Sequence, residues 1–582
     1  MFLLAKALTL TKPDLAQSAW VLPAFLWQDL LVVSLYALVD RGARRFPWIG
    51  WGVYAGLVSY AGVNVPIAKL FSTPLTWSML RATRGTLADS ISHHVTMANL
   101  LPIVLVVIAG TVLPIIFHRL RPRFSLRVRI AVFAVAVLVI ALGPTAAAHV
   151  ELLAAHGNAV FILVASGWPR VEAEEGHADW SVSPFGSGRA EDLSRFRGRA
   201  AGRNLVFIHL ESTGARYLRP YGTAEDPMPN LSALSRRAIL FENAYAAYPE
   251  TIKSFFAVHC SCYPALDTQA EAYEHVASPA LATQLAQQGY QTGLFHSGRF
   301  MYLGMESVIR NRGFTTMEDA GDIGGNRRSS FGIDEAATVH RILSWLDSLS
   351  VDRPFFLTYL PIAGHHPYET PSGGPFPERR EIDRYRNALH YADTALGELL
   401  AGLAARGLDK NTLFVIFGDH AEAFNQHQGN YGHTMFLYEE NVRIPYLIVA
   451  PGLIDEPIRI TRVASQIDTA PTVLDLMGLS TPEAYQGRSL LDPAVGMALF
   501  CTDYSQALLG LRDEQWKLIH DLGSGRSKLF DIQTDPDEKD DVANQFVDRV
   551  AAYRTHLLRW SAAQKFFVLR PNSVVKPRDA GG

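Results

Sequence analysis

Polar side chains with the chemistry of a metal or phosphate site follow four apolar runs in the second half of the chain. They are Glu211, His296, His365 and the adjacent pair Asp419 and His420. Carboxylate oxygens and imidazole nitrogens bind divalent cations, and a bound cation lowers the pKa of a nearby hydroxyl group. Thr251 could supply such a hydroxyl as a nucleophile. Taken singly, each residue is also typical of a cap, a salt bridge or a turn.

The elements that must position these side chains are predicted by the apolar runs themselves. Short buried runs are typical of strands in a parallel sheet, and here they begin at Asn204, Tyr290, Pro354 and Thr412. Helical patterns lie between them, at Ala280–Gln288 and Arg384–Leu403. This alternation predicts an α/β domain with a mostly parallel central sheet. Ligands of such sheets bind beyond the carboxyl ends of the strands, so the polar residues should meet in one crevice.

Length and composition predict a second, membrane-embedded region. The 582 residues exceed what one hydrophobic core usually organises. A formal net charge of −3 argues against a basic protein that binds nucleic acid. The mean hydropathy of +0.08 is high for a soluble protein, and the apolar excess is concentrated before about residue 168. Residues 1–168 are therefore predicted to be an α-helical transmembrane domain.

Four stretches of this region have the length and apolar character of membrane spans. They cover roughly 19–40, 48–71, 98–118 and 130–149. The partly apolar stretch at 150–168 is predicted to be an interfacial helix, with a fifth span as the alternative. Asp29 falls inside the first span, where it would either contact a lipid head group or form a hydrogen bond that packs two helices.

Arginines in two connectors predict the orientation. The connector after the first span and the connector after the third contain Arg41, Arg44, Arg45, Arg119, Arg121, Arg123, Arg127 and Arg129. Arginine-rich loops face the cytoplasm. With an even number of spans, the region after residue 150 then lies on the opposite side. We therefore expect a multi-pass protein of a bacterial-type inner or cell membrane, with an extracytoplasmic, periplasmic catalytic domain.

Composition also predicts the boundaries of the soluble half. Residues 169–203 are rich in Glu, Gly, Ser and Arg and are predicted to be a linker that cannot fold alone. Residues 204–565 are the predicted catalytic domain with a small C-terminal subdomain, and residues 566–582 a frayed tail. The three cysteines are too few for a disulfide framework and are expected to be ordinary buried thiols.

Short motifs from Asn204 to about Val542 carry a family resemblance. They include Asn204-Leu-Val-Phe-Ile-His-Leu-Glu-Ser-Thr, Phe241-Glu-Asn-Ala-Tyr, Pro249-Glu-Thr-Ile-Lys-Ser, His365-His-Pro-Tyr, Phe417-Gly-Asp-His-Ala-Glu, Arg443-Ile-Pro-Tyr and Gln466-Ile-Asp-Thr-Ala-Pro-Thr. In this order they resemble the alkaline-phosphatase-like sulfatase superfamily, specifically its membrane branch of lipoteichoic acid synthases, phosphoglycerol transferases and phosphoethanolamine transferases. The resemblance implies an alkaline-phosphatase-like or sulfatase-like fold and covers most of the soluble half.

The resemblance places the nucleophile at Thr251, between Asn243 and Tyr263. Sulfatases carry there a Cys or Ser, converted to formylglycine, within a Cys/Ser-x-Pro-x-Arg motif. The run Thr251-Ile-Lys-Ser-Phe lacks that motif, and threonine cannot be converted by that route, so sulfate ester hydrolysis is disfavoured. The lipid-head-group transferases use threonine and form a covalent phosphodiester on it.

The metal ligands implied by matching position are Glu211, Thr251, Asp419 and His420. Ser212 stands where many sulfatases have a second acidic ligand, which favours one divalent cation. Manganese is the first expectation, with zinc, magnesium and calcium open.

Further residues are predicted to contact the substrate. His365 matches a family histidine that protonates a leaving oxygen or binds phosphate, with a structural turn histidine as the alternative. His296 and Arg299 could hold phosphate oxygens, although a salt bridge explains Arg299 almost as well. His433 and Lys253 are candidates to touch substrate.

The predicted function is transfer of a phosphoglycerol or phosphoethanolamine head group from a membrane phospholipid donor to a cell-envelope glycan or lipid acceptor. Two alternatives stay open. Water could resolve the intermediate, which would make the protein a membrane phosphodiesterase or, less favoured, a sulfuric-ester hydrolase. The domain could also be a catalytically silent membrane scaffold, against which the complete set of candidate ligands argues. The sequence leaves the head group, the acceptor and the oligomeric state undetermined.

Overall fold

The structure is a computed structural model that describes most of the chain. It covers residues 1–9, 19–82, 95–120, 125–150, 157–186, 188, 191–326, 332–371, 373–494 and 496–570. Arg121 and Arg123, the first part of the stretch at 150–168, and the residues after 570 lie outside the described residues.

The described parts of the N-terminal region are mostly helical. Its helices are α1 (Phe2–Thr9), α2 (Val21–Gly42), α3 (Pro47–Phe71), α4 (Trp77–Ala82), α5 (Met97–Leu120), α6 (Leu126–His149) and the short α7 (Ala159–Ala165). Each of the four predicted spans thus corresponds to a long helix. In the predicted interfacial stretch, the described residues form one helix, the seven-residue α7.

Three described helices are long and apolar enough to cross a membrane by length and composition: Val21–Arg45, Met97–Leu120 and Leu126–His149. Helix α3 has the length of a span but does not meet the same measure, so the four spans stay a prediction. Glycine, tyrosine, tryptophan and asparagine dilute the aliphatic residues of α3. Because the orientation argument needs an even number of spans, the extracytoplasmic placement stays a prediction.

Asp29 of α2 forms a packing contact between helices. Its Oδ2 lies 2.7 Å from the Nζ of Lys6, and its Oδ1 accepts a hydrogen bond of 2.6 Å from the Nδ2 of Asn158. Both partners are buried. Of the two alternatives for Asp29, the structure therefore shows the contact that packs helices.

The catalytic domain is built on a mostly parallel mixed sheet. Its strands are β1 (Asn204–Leu210), β2 (Ile239–Tyr245), β3 (Gln291–His296), β4 (Thr316–Glu318), β5 (Phe355–Leu360), β6 (Thr412–Gly418), β9 (Arg443–Ile444), β10 (Tyr446–Val449) and β11 (Ile458–Ser465), with the hairpin β7 (Ala423–Phe424) and β8 (Tyr431–Gly432) outside it. The order is β11-β2-β10-β6-β1-β5-β3-β4, and β9 pairs with β2. Within this sheet, as far as the structure describes it, only the pairings that involve β10 or β9 are antiparallel.

The four strands predicted from apolar runs are neighbours, in the order β6-β1-β5-β3, and all are parallel. Helices cover the two faces of the sheet: α8 (Pro229–Ser235), α9 (Thr251–Cys260), α10 (Leu281–Gln287), α11 (Met305–Ile309), α12 (Ala320–Ile323), α13 (Glu335–Asp347), α14 (Glu381–Ala405), α15 (Glu439–Val442) and α16 (Thr469–Leu476). Apolar clusters fill the space on each face. The fold class predicted from the sequence is confirmed.

A second, antiparallel sheet forms the C-terminal subdomain. Its strands are β12 (Ala498–Thr502), β13 (Leu508–Asp513), β14 (Trp516–Asp521) and β15 (Ser527–Asp531), followed by helix α17 (Val547–Leu569). Val568 of α17 is buried against the cluster that contains Phe256 and Leu294. The predicted start of the tail at residue 566 is therefore too early, because the helix continues to Leu569.

The predicted linker packs onto the catalytic domain. Leu193, Phe196 and Ala200 belong to the same core cluster as strands β1 and β6, and Arg170 lies 3.2 Å from Asp267 as an ion pair. The three cysteines are buried free thiols, as expected. The segment at 169–203 has few apolar residues among many polar ones, so its composition alone did not indicate these buried contacts.

Candidate metal and nucleophile site

The candidate metal ligands lie where two parallel strands end side by side. Leu210 of β1 pairs with Gly418 of β6, so the next residues of the two strands, Glu211 and Asp419, are brought together. Ser212 turns the chain sharply with φ of 51°, and its backbone N–H donates to Asp419 Oδ1 at 2.9 Å. The observed pairing of β1 with β6 thus accounts for the contact between these two ends.

Thr251 is the first residue of helix α9, which comes after strand β2 in the chain. Its Oγ1 donates to Glu211 Oε2 at 3.1 Å and lies 3.4 Å from His420 Nε2. Thr251 is half-buried, whereas the residues around it are buried. The hydroxyl therefore lies at the mouth of the crevice, in contact with two of the three other candidate ligands.

Glu211, Asp419 and His420 offer ligand atoms that all lie within 4.8 Å of one another. Asp419 Oδ2 is buried and has no hydrogen-bond donor among the described residues. Burial and the neighbouring Asp419 raise the pKa of Glu211 well above its ordinary value, and burial raises the pKa of Asp419 to about 6. Two buried carboxylates with an orphaned oxygen and a histidine nitrogen fit one divalent cation.

Backbone and amide groups fix the geometry of this set. The Nε2 of Gln466 donates to the carbonyl oxygen of Asp419 at 2.6 Å and to Ser254 Oγ at 2.9 Å. Ser254 lies one helical turn after Thr251, so this amide joins helix α9 to the loop that follows β6. Tyr385 donates its hydroxyl to the carbonyl oxygen of Ser212 at 2.7 Å. The ligand carboxylates therefore belong to a rigid frame.

A second group of ionisable residues adjoins the first. The ring of His433 stacks on His420 with centroids 4.0 Å apart, and its Nδ1 lies 2.7 Å from Glu422 Oε2. Burial lowers the pKa of His433, but Glu422 outweighs it and the net shift is upward. His365 lies 6.3 Å from His433, centroid to centroid, and burial lowers its pKa to about 4. His433 therefore lies against the candidate ligand His420 and His365 lies next to His433, and their pKa values are shifted in opposite directions.

Lys253 lies beneath the mouth of the site. Its Nζ lies 3.3 Å from Asp503 Oδ1 and 4.0 Å from the ring centroid of Tyr248. Burial opposes the charged form, but Asp503 raises the pKa of Lys253 well above its ordinary value. The ammonium group is thus held in a buried ion pair. A substrate that contacts Lys253 would have to share its ammonium group with Asp503.

His296 and Arg299 are the predicted site residues that no described contact brings to Thr251. His296 Nδ1 bonds to the carbonyl oxygen of Leu360 at 3.0 Å, and its ring packs on Phe300. The guanidinium of Arg299 lies beside Gly321, in the short helix α12. His296 is the last residue of β3 and Arg299 follows it, but β3 is two strands away from β1 in the sheet.

Three residues of the candidate site were not predicted from the sequence. Glu422 belongs to the motif that contains Asp419 and His420, and its spacing of three residues from Asp419 was an available signal. Glu250 precedes the nucleophile as a buried carboxyl whose pKa is raised by burial. Asp503 comes from the second sheet, and its approach to Lys253 had no signal in the sequence.

The strand order and the polar groups at the strand ends define an alkaline-phosphatase-like α/β domain with a candidate metal and nucleophile site. A family model described as Sulfatase matches residues 203–479. These residues therefore form a sulfatase-family domain, and the resemblance stated from the motifs is confirmed.

Known relatives include both transferase-named and sulfatase-named proteins. Lipoteichoic acid synthase-like YvgJ of Bacillus subtilis (strain 168) is 26% identical over 323 residues, which are 52% of this chain and 51% of that protein. Arylsulfatase K of Bos taurus is 30% identical over 241 residues, 36% of this chain and 44% of that protein. The chain thus spans about half or less of the length of these curated relatives.

A solved structure shows the same fold. The crystal structure of the lipoteichoic acid synthase LtaP from Listeria monocytogenes matches with a TM-score of 0.51 and 20% identity, covering 64% of this chain and 95% of that chain. At this identity the likeness concerns the fold alone.

Proposed function

We propose that this chain is a membrane-anchored, metal-dependent transferase. It moves a phosphoglycerol or phosphoethanolamine head group from a phospholipid to a cell-envelope glycan or lipid acceptor, through a covalent intermediate on Thr251. The observation that carries the proposal is the position of the Thr251 hydroxyl, 3.1 Å from Glu211 Oε2 and 3.4 Å from His420 Nε2. The similarity to lipoteichoic acid synthase-like YvgJ supports the same class of reaction.

A divalent cation held by Glu211, Asp419 and His420 would supply positive charge that acidifies the Thr251 hydroxyl and neutralises phosphate oxygens. Manganese is the first candidate, because the ligands are two carboxylates and one imidazole. The carboxylates fit this role because no lysine or arginine among the described residues forms an ion pair with either of them. Without a cation, two adjacent buried carboxylates would repel each other.

In the first half-reaction, Thr251 Oγ1 attacks phosphorus and loses its proton to the Glu211 carboxylate. The bond between phosphorus and the diacylglycerol oxygen breaks, and that oxygen takes a proton from the histidine pair His365 and His433. In the second half-reaction, an acceptor hydroxyl attacks the same phosphorus and the bond between phosphorus and Thr251 Oγ1 breaks. The acceptor proton returns to the histidine pair, and Glu211 returns its proton to Thr251. His433 suits the proton transfer to the diacylglycerol oxygen because Glu422 favours its charged form.

Hydrolysis is the second candidate function, and the similarity to arylsulfatase K favours it. Water would then replace the acceptor hydroxyl in the second half-reaction. Threonine at the nucleophile position argues against a formylglycine-dependent sulfatase, since threonine cannot form that aldehyde. A phosphodiesterase that uses the same Thr251 intermediate is therefore the alternative function of this site.

The test is a search for the covalent intermediate. Detergent-purified protein is incubated with manganese and, separately, with phosphatidylglycerol and phosphatidylethanolamine, and the Thr251 peptide is analysed by mass spectrometry. A glycerol-phosphate or ethanolamine-phosphate adduct is expected on the wild type and on Thr251→Ser, with none on Thr251→Ala. Addition of a candidate acceptor then separates transfer from hydrolysis. An unmodified peptide, together with full activity of Thr251→Ala on a generic phosphodiester, would refute the assignment.

A further inference from the structure

The connector between helices α3 and α4, residues Ser72–Thr76, is buried although connectors are usually exposed. We call this segment the strap. The exposed fractions of Ser72, Thr73 and Thr76 are 8%, 1% and 1%. Ser72 ends helix α3 in the left-handed conformation, with φ of 52°. The strap therefore packs against other parts of the chain along most of its length.

Two strap hydroxyls donate hydrogen bonds to the catalytic domain. Ser72 Oγ donates to the carbonyl oxygen of Gly429. Thr76 Oγ1 donates to the carbonyl oxygen of Tyr504 at 2.8 Å. The two acceptors belong to different loops, one in the turn of the hairpin β7–β8 and one after β12, the first strand of the C-terminal sheet. The strap thus links the helical region to two separate loops at once.

Both loops carry residues of the candidate site. Gly429 lies in the turn of the hairpin β7–β8, and Glu422 and His433 flank this hairpin on either side. Their contact of 2.7 Å closes its base. Tyr504 directly follows Asp503, which holds Lys253 two residues beyond the nucleophile. A displacement of either loop would therefore move groups beside Thr251.

The strap is also held from the side of the helical region. Leu75 N donates to Asn64 Oδ1 at 2.7 Å, and Asn64 belongs to α3. Trp77 N donates to Ser166 Oγ at 2.8 Å, at the end of α7. The strap is therefore fixed both to the helices predicted to lie in or on the membrane and to the loops that flank the site.

We propose that Ser72 and Thr76 are positioning residues that hold the two site loops against the membrane region, so that Thr251 meets a head group still anchored in the bilayer. This inference rests on the proposed function, since it assumes a phospholipid donor. A lipid head group is presented at a fixed depth and direction, so a lipid reaction depends on the orientation of the catalytic domain. A small soluble phosphodiester can approach Thr251 from any direction and does not depend on it.

The experiment compares two substrates in the full-length protein reconstituted with manganese. One is phosphatidylglycerol or phosphatidylethanolamine in vesicles, and the other is soluble bis-p-nitrophenyl phosphate. The double variant Ser72→Ala with Thr76→Val should lower kcat/KM for the vesicle lipid about tenfold or more, which corresponds to about 1.4 kcal/mol. Its kcat/KM for the soluble diester should stay within about twofold of the wild type, as a positioning role in lipid presentation requires.

The matched control is Thr73→Val. This hydroxyl is equally buried in the strap but bonds locally to the carbonyl oxygen of Pro74, so both substrates should be turned over normally. Equal losses on both substrates in the double variant would assign the strap a merely structural role, and unchanged lipid turnover would overturn the proposal.

Failure of the proposed function gives a different pattern. A wild type that cleaves the soluble diester in a Thr251-dependent manner, but no lipid, would overturn the lipid donor and with it the role of the strap. A wild type whose diester cleavage survives Thr251→Ala would overturn the nucleophile. In that case hydrogen exchange of residues 425–433 and 503–505 still decides the docking: faster exchange in the double variant supports the strap contacts, and identical exchange refutes them.

Discussion

Two regions of the catalytic domain bury several ionisable side chains, and they differ in how the charges are balanced. In the candidate site, Glu211 and Asp419 face each other across His420, and Asp419 Oδ2 has no donor among the described residues. Between the main domain and the C-terminal sheet, Lys517 lies 3.0 Å from Glu439 and 3.0 Å from Glu538. We call this second group the Lys517 cluster.

The difference in charge balance distinguishes a region that is expected to bind a cation from a region that only stabilises the fold. The Lys517 cluster contains cations of the chain itself, because Lys517 contacts both carboxylates and Arg443 Nε lies 3.9 Å from Glu439 Oε2. Tyr245 adds a hydrogen bond of 3.2 Å to Glu439. The candidate site has carboxylates without a lysine or arginine partner in the described part of the chain. Buried charge is tolerated when it is paired or when it binds a metal. The first region is therefore expected to need an external cation, and the second is not.

The largest expected effect is on activity in the first region. Glu211→Gln should lower phosphodiester turnover by on the order of a thousandfold, because it removes a cation ligand and the proton acceptor of Thr251. The apo protein should not be less stable, since one of two repelling carboxylates is lost. Turnover and thermal unfolding without metal are measured together. Glu242→Gln, at a partly exposed carboxylate paired with Arg459, is the control and should change neither.

The next effect is on stability in the second region. Lys517→Met should destabilise the protein by about 3–5 kcal/mol, because Glu439 and Glu538 stay buried without their cation. Urea unfolding measures this loss, and the activity of the remaining folded protein should stay normal. Lys528→Met, on the neighbouring strand and partly exposed, should cost less than about 1 kcal/mol. Similar losses for both variants would contradict the contrast drawn between the two regions.

Metal addition should change stability through the candidate site and not through the Lys517 cluster. Manganese at about a hundred times its dissociation constant should stabilise the wild type by about 2.7 kcal/mol, and a chelator should reverse the shift in Tm. Asp419→Asn should lose the response, whereas Lys517→Met should keep it on top of its lower starting stability. A manganese response that survives in Asp419→Asn would place the cation elsewhere.

The smallest effect concerns pH. Burial raises the pKa of Glu538 from its ordinary 4.5 to about 7, with Lys517 opposing the shift and Glu439 adding to it. A raised carboxyl pKa contributes stability below about pH 4.5 that is lost as the pH rises through about 7. Glu538→Gln removes this dependence, so wild-type stability should fall more steeply than that of the variant over this window, by on the order of 1 kcal/mol. Parallel unfolding curves across the window would contradict the assignment.

Much of the candidate site could be predicted because its residues follow strands. Glu211, Asp419 and His420 each end an apolar run, and parallel strands place their carboxyl ends at one edge of the sheet. The same rule brought His296 to that edge but not to Thr251, since β5 lies between β3 and β1. The sequence contained the strands but not their order, and the order decides which strand ends are neighbours.

The partners of individual polar groups followed from tertiary structure. Lys253 is a candidate to touch substrate, and its ion pair with Asp503 of the second sheet had no signal in the sequence. Asp29 pairs with Lys6 in a different helix, and Leu193 and Phe196 of the expected linker join the main core. Each of these contacts joins positions far apart in the chain.

The sequence by itself therefore determined the class of fold, the apolar N-terminal helices, the nucleophile candidate Thr251 and the carboxylate and histidine candidates for the cation. The fold class and the helices depend on patterns within a few residues, which short windows of sequence contain, whereas Thr251 and the set of candidate ligands were singled out by the family resemblance of their motifs. Only the tertiary structure decided that the strap reaches the loops beside His433 and Asp503, and that Lys253 is paired. Such contacts depend on which distant surfaces pack together, and hydrophobic packing of the whole domain settles that.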